Sequence, residues 1–284
     1  MKKDFSVIIL VLTFLLGLSI ILYPTLADYW NQKTQSKAIV DYEAMLKTLA
    51  PKDYSALFND ADEYNRKLAS VEFPFTNCDD IEGYDDLLNI MRNGLMGYIS
   101  IEKIGVELPI YHGTSDSVLN VAAGHLEGSS LPVGGESTHT VLSAHRGLPS
   151  AKLFTDLDKL EVGDTFILTV LDRVLTFEVD KILIVEPDED ESLYLVDGKE
   201  YCSLITCTPY GINTHRLIVR GTRIENAQSK PILFVANDAY RIDVLIVSLV
   251  VAIPILWILF IILMVKYSTK KKDVSIRRWN GGEK

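Results

Sequence analysis

A mainly β fold, either a closed barrel or a sandwich of about 130 residues, is what the middle of this sequence predicts. Three observations carry that expectation. From Gly97 onward the chain breaks into short runs rich in Val, Ile, Leu, Thr and Tyr, punctuated by Gly, Pro and Asp. Before them lies a stretch with helical spacing of its apolar residues. The apolar excess, which lifts hydrophobic content to 48%, sits mainly at the two ends of the 284 residues.

The first end run, Phe5 to Leu22, is eighteen residues without a charge, and the second, Val244 to Val265, is twenty-two. A bilayer core needs roughly 20 apolar residues as helix, so both are expected to span a membrane. Pro254 within the second is tolerable where neighbouring helices satisfy the freed backbone groups. The first run has a rival reading as a cleaved signal peptide, with Lys2 and Lys3 as its basic start and Thr25 and Ala27 as small residues near a cleavage point. Its length favours an uncleaved anchor. Basic residues flank both runs on their terminal sides, among them Lys266, Lys270, Lys271, Lys272, Arg277 and Arg278. The positive-inside rule then puts both termini in the cytoplasm and residues 24–243 outside.

The whole chain carries a formal charge of −10. The expected cytoplasmic ends take nine Lys and Arg but only three acids, which leaves the exterior segment at −16. So acidic a surface excludes nucleic acid as a partner, since that requires a basic footprint. The three cysteines, Cys78, Cys202 and Cys207, cannot form a disulfide framework.

Residues 28–70 read as helix: Tyr29, Trp30, Ile39, Tyr42, Met45, Leu46 and Leu49 recur at helical spacing, Pro51 interrupts, and Tyr54 to Leu68 resumes. Residues 71–95 read as an irregular acidic stretch. The β-runs then follow: GYISIE, GVELPIY, HTVLSAH, DTFILTVL, RVLTFEVDKILIVEP, YCSLITCT and HRLIVRGTRIE. Short helices are expected at Ser117 to Ala122 and Ala151 to Leu160. The resulting organisation is an anchor over 1–23, a helical extension over 24–96, the β domain over 97–226, a linker over 227–243, a second span over 244–265 and a basic tail over 266–284.

Cys207 ends a predicted strand and precedes a turn containing Pro209 and Gly211. An odd offset along a strand puts Cys202 on the opposite face, so the two do not pair with each other. A thiol becomes a nucleophile as thiolate, which a cationic or histidine neighbour favours. Arg216 lies nine residues on, across the turn, where alternation groups it with Thr214 and Ile218 and sets His215 on the other face. Among the five histidines, His145 stands out because TVLSAHRGLPS ends an apolar strand and runs into a Gly-Pro turn. No histidine or cysteine pair has metal-ligand spacing, so neither metal nor cofactor is called for. The residues alone therefore give an exported β-rich domain with a Cys–His–Arg site.

Three stretches together resemble the sortase family, and within it the pilin-polymerising class C of Gram-positive bacteria: GYISIEKIGVELPIYHGTS, AAGHLEGSSLPVGGESTHTVLSAHRGLPSAKLFTDLDKLEVGD and LITCTPYGINTHRLIVRGTRI, within residues 97–224. The resemblance implies an eight-stranded β-barrel with His145, Cys207 and Arg216 gathered at one end. It implies that Cys207 attacks the Thr–Gly carbonyl of an LPXTG-type sorting signal and forms a thioacyl enzyme. His145 would move the proton, Arg216 would hold the oxyanion, and a pilin lysine would accept the acyl group. Ser143 and Thr206, flanking the implied catalytic positions, are the substrate-binding candidates. The class usually carries an Asp-Pro-aromatic lid, and VEFPFTNCDDIEGYD over residues 71–85 lacks it. Phe75, Asp79 or Asp80 would have to substitute, and Cys78 could face Cys207. Two other readings stand beside this one: attachment of surface proteins to peptidoglycan, and a silent membrane-tethered scaffold or adhesion domain.

Overall fold

The computed structural model describes residues 2–78 and 81–226 together with Ile253 and Trp257. Two long helices lead into a closed barrel. Helix α1 spans Lys2–Leu46, α2 spans Pro51–Leu68, and a single turn, α3, covers Asp116–Leu119. The strands are β1 (Leu95–Ile101), β2 (Val106–His112), β3 (Ala123–His125), β4 (Thr138–Ser143), β5 (Thr165–Val170), β6 (Arg173–Val185), β7 (Glu200–Thr208) and β8 (His215–Ile224). Around the barrel they run β1-β2-β3-β4-β7-β8-β6-β5, with β2–β3 and β4–β7 parallel and the rest antiparallel. The mixed, closed eight-stranded barrel leaves no open sheet edge to template aggregation.

Pro51 begins α2 at its first helical position, where a missing N–H costs nothing. The Asp53 carboxylate accepts a 3.0 Å hydrogen bond from the Ala50 N–H and closes that end. One face of α2, comprising Phe58, Ala61, Tyr64 and Leu68, joins the same buried cluster as the barrel interior. The Asn65 side chain continues this attachment, accepting from Leu131 N–H at 2.7 Å and donating to Leu131 O at 3.2 Å. Ile39 and Tyr42 of α1 pack on Leu95 and Tyr98 of β1. The Tyr42 hydroxyl donates to Met96 O and accepts from Leu171 N–H, tying two barrel segments to the helix.

Inside the barrel, Leu142, Phe166, Leu168, Phe177, Cys202, Leu204, Leu217 and Val219 belong to the buried apolar core. Each fully buried Phe contributes about 1.5–3 kcal/mol relative to exposure. Phe166 and Phe177 stack at 5.5 Å, and Gly221 opposite them has no room for a side chain, since a Cβ there would lie 2.7 Å from the Phe166 ring. A second cluster on the outer face, Val141, Val185, Leu193 and Ile218, covers β4, β6 and β8 near the barrel's end.

Two local expectations need correction. Ala151 to Leu160 is not a helix: Leu153 takes a left-handed φ of 42°, which no helix accommodates, and only Leu157–Lys159 makes a 3-10 turn. The segment uses its apolar residues to plug the core, with Ala151, Leu153, Phe154, Leu157 and Leu160 all buried. The expected helix at Ser117 to Ala122 shrinks to the single turn of α3. The first apolar run is helical within α1, whose side chains are described from Thr13 onward. Among the described residues no helix is long and apolar enough to cross a membrane. Apart from Ile253 and Trp257, the second run lies outside the described residues.

Candidate active site

Strand β7 alternates inward Cys202, Leu204 and Thr206 with outward Ser203, Ile205 and Cys207, as the period of two demands. Cys207 therefore reaches the outer face, half-buried, one residue before the strand ends. Beyond it the chain turns through Pro209, whose carbonyl accepts from both Ile212 and Asn213 N–H. Gly211 and Asn213 adopt left-handed φ values of 75° and 61°, which Gly and Asn tolerate best. The turn returns the chain as β8, and Arg216 pairs directly across from Cys207. On its other side Arg216 pairs with Val185 of β6.

His145 arrives from the other direction. β4 runs parallel to β7 with Ser143 opposite Ile205, and the ladder continues as Ala144 N–H donates to Ile205 O at 3.2 Å. One row across the sheet reads Cys207, Arg216, Val185, drawn from the exit of β7, the start of β8 and the end of β6, and His145 leaves β4 two residues beyond its last paired residue, Ser143. The segment after His145 is pinned to the barrel, because His145 O accepts from Phe154 N–H and Gly147 N–H donates to the Thr155 hydroxyl.

The remaining candidates are placed as follows. Ser143 is half-buried on β4, opposite Ile205. Thr206 is not brought to this face: it is buried, and its hydroxyl donates to Ala144 O at 2.8 Å, bracing β4 against β7 from within. Phe75 lies on the outer face, its ring 5.7 Å from that of Tyr194, and it packs on the Val141–Val185–Leu193–Ile218 cluster as Ile205 does. Gly128, with φ 86°, lets that segment close in, since a Cβ there would sit 2.6 Å from Pro74 O. Asp79 and Asp80 lie outside the described residues. Cys78 sits near Tyr64 of α2, whose hydroxyl is pushed up to about 12, by burial first and then by neighbouring negative charge from Glu127 and Cys78. None of the three cysteines is in a disulfide.

Two other histidines are built into the scaffold. His139 donates Nδ1–H to Tyr194 O at 3.1 Å, so its Nε2 accepts from the Ser203 hydroxyl at 2.8 Å. His125 donates Nε2–H to Ser130 O at 2.9 Å, so its Nδ1 accepts from Tyr84 at 2.8 Å. Burial holds both well below the ordinary histidine value of 6.5, at about 4, so both are neutral. Burial likewise pushes the Cys202 thiol far up, out of the range where a thiolate forms.

Sequence reasoning passed over Arg146. Its guanidinium is almost fully enclosed, bonds Asp158 at 2.5 Å, reaches the Thr208 hydroxyl at 3.4 Å and lies 5.9 Å from the Tyr210 ring centre. The signal that would have found it is its place next to His145 at the strand exit.

Comparison with known proteins agrees with the barrel. The family model described as the Sortase domain matches residues 99–224. Sortase C1 from Streptococcus agalactiae is 48% identical, with a TM-score of 0.62, over 67% of this chain and 100% of that one. Sortase C from Streptococcus pneumoniae, whose structure is described as informing catalysis and pilin substrate specificity, is 42% identical over 68% of this chain and 100% of that one, with a TM-score of 0.60. Sortase D of Bacillus subtilis (strain 168) is 34% identical over 131 residues, which cover 45% of this chain and 63% of that protein. The match thus spans less than two thirds of that curated relative. With full coverage of two class C structures at these identities, the chain belongs to the sortase family.

Proposed function

We propose that this sortase is a membrane-anchored cysteine transpeptidase that joins pilin subunits. The observation that carries the reading is the shared strand end: Cys207 near the end of β7 pairs with Arg216 of β8, and His145 follows the end of β4, which runs parallel to β7. In the first half-reaction the Cys207 sulfur attacks the Thr–Gly carbonyl of an LPXTG-type signal. The C–N bond breaks, a thioester forms, and His145 gives its proton to the departing amine. In the second half a lysine Nζ attacks the thioester, His145 takes the proton, and the sulfur leaves as the new isopeptide bond forms. Arg216 stabilises the oxyanion in both halves, since a cation fixed by its strand need not reorganise as charge develops.

The pilin acceptor is supported by the class C relatives, of which the S. pneumoniae enzyme is described with pilin specificity. Membrane anchoring is supported by the two charge-free runs and by the continuity of α1, a single helix from Lys2 to Leu46, with the part that packs on the barrel. Such an anchor leaves the barrel outside the cell beside membrane-retained precursors. In the same reading Phe75 serves as the lid residue, covering the sheet face on which Cys207 stands.

The test is to incubate the full-length protein in membranes with a purified pilin precursor bearing an LPXTG signal. A ladder of covalent multimers with Thr–Lys isopeptide bonds, seen by mass spectrometry, is expected. Cleavage with transfer only to peptidoglycan amines would overturn the pilin assignment in favour of surface-protein attachment, and no cleavage at all would favour a silent scaffold.

A further inference from the structure

Among the described residues, the guanidinium of Arg146 is a strongly enclosed cation that links the segment after His145 to the end of β7. Its side chain is 8% exposed. One terminal nitrogen bonds the Asp158 carboxylate at 2.5 Å, and the other reaches Thr208 Oγ1 at 3.4 Å. Nε is buried with no acceptor among the described residues. The head is thus not placed to maximise its own hydrogen bonds; an unmet buried donor costs about 1–3 kcal/mol. Instead its contacts run from one site segment to the next. Arg146 follows His145 in the chain, and Thr208 follows Cys207. Tyr210, in the turn after Cys207, closes the third side: its ring faces the guanidinium and fills the space at Gly147, where a Cβ would come within 3.1 Å of it.

We propose that Arg146 is a positioning residue that holds the His145 segment against the Cys207 strand end, with Asp158 as its anchor. β4 ends at Ser143, and past it the backbone is held by Ala144 N–H on Ile205 O and by Phe154 N–H on His145 O, with no strand partner for His145 itself. The planar fork adds a side-chain tie to those backbone bonds, one prong on Asp158 and one on Thr208, the residue after Cys207. A lysine cannot do this, because a single ammonium lacks the two-pronged geometry. The inference rests on the transpeptidase reading for its activity assay, and on geometry alone for its spectroscopic one.

The experiment uses the full-length protein in detergent and a fluorogenic LPXTG peptide with glutamate at X. Arg146→Ala should lower kcat about 100-fold, the scale of a displaced catalytic group, while KM and the melting temperature change little. Arg146→Lys should recover little of the loss. Asp158→Asn should lower kcat in the same direction, and Asp158→Asn added to Arg146→Ala should cost nothing more, because the two act as one unit. In parallel, the His145 ring resonances, assigned by their loss in His145→Ala, should shift and broaden in Arg146→Ala. Unchanged kcat, additive losses, or an unmoved His145 resonance would each overturn the proposal. If Arg146→Ala does not fold, Asp158→Asn alone decides by the same readouts. A wild-type protein inert toward the peptide would sink the transpeptidase reading, and the His145 resonance would still judge Arg146.

Discussion

The parallel strands β4 and β7, taken with the residues just past their ends, each bring the same residue type twice, and the two copies live in different surroundings. Near the strand starts are His139 and Cys202, within one residue of the same level, since Thr140 pairs with Cys202. Cys202 faces the interior with no exposure, and His139 is covered on the outside by Tyr194 and Ser203. At or just past the exits are His145 and Cys207, both only half-buried. Burial fixes the first histidine as neutral and the first thiol as un-ionised. At the exits the sheet ends, and Arg216 pairs with Cys207. The lesson is that side-chain type alone does not make a site here; the face of the strand and distance from its end do.

The comparison is broken most directly by exchanging roles. Cys207→Ala should lower turnover of an LPXTG peptide by about 10⁴-fold or more, as loss of a nucleophile does, whereas Cys202→Ala should leave turnover per folded molecule unchanged. A Cys202→Ala enzyme as dead as Cys207→Ala would refute the contrast. Next in size, His145→Ala should cost about 10²–10⁴-fold as a lost general acid and base, and Arg216→Ala about 10²–10³-fold as a lost oxyanion partner. His139→Gln should cost stability instead, about 1–3 kcal/mol for the Ser203 and Tyr194 groups it leaves unpaired. Equal kinetic losses at His139 and His145, measured at matched folded fraction, would erase the distinction.

How legible was this in the sequence? The Cys207–Arg216 hairpin was readable because it is local: a β-run, a Pro-Gly turn and a second β-run fix the neighbours within nine residues. His145 was readable as a strand exit, but its position beside Cys207 depends on a parallel pairing of segments 62 residues apart, which no spacing rule reports. Only the family resemblance joined them. Thr206 was misjudged although the means were present, since the alternation that separates Cys202 from Cys207 also turns Thr206 inward. β3 escaped because Ala123–His125 is three residues long and carries no β-forming run. The helix expected at Ala151 to Leu160 failed because apolar spacing there serves to plug the core through a left-handed Leu153.

Smaller effects sharpen the contrast between sealed and open positions. His125 and His139 are lowered from 6.5 to about 4 in the folded protein, so between those values the unfolded chain binds protons that the folded one does not. Their contribution to stability is complete above pH 6.5 and is lost as pH falls towards 4, on the order of 3 kcal/mol for each. Denaturant unfolding across that window should show the decline, and His125→Gln or His139→Gln should flatten it. A slope unchanged in both variants would contradict the burial assigned to them. Smallest is Phe75→Ala: removing the ring contact with Tyr194 costs about 0.5–1.5 kcal/mol and should raise the rate at which iodoacetamide alkylates Cys207 without changing that of Cys202. No change at Cys207 would end its role as a lid.

The central claim, that the exit thiol and not the buried one is the nucleophile, is tested most directly by intact and peptide-level mass spectrometry. The full-length protein would be mixed with an LPXTG peptide and quenched in acid before an amine acceptor is added. The account predicts a thioacyl adduct through the threonine carboxyl on Cys207, none on Cys78 or Cys202, and none in Cys207→Ala. An adduct that persists in Cys207→Ala, or its absence from wild-type protein that cleaves the peptide, would contradict it.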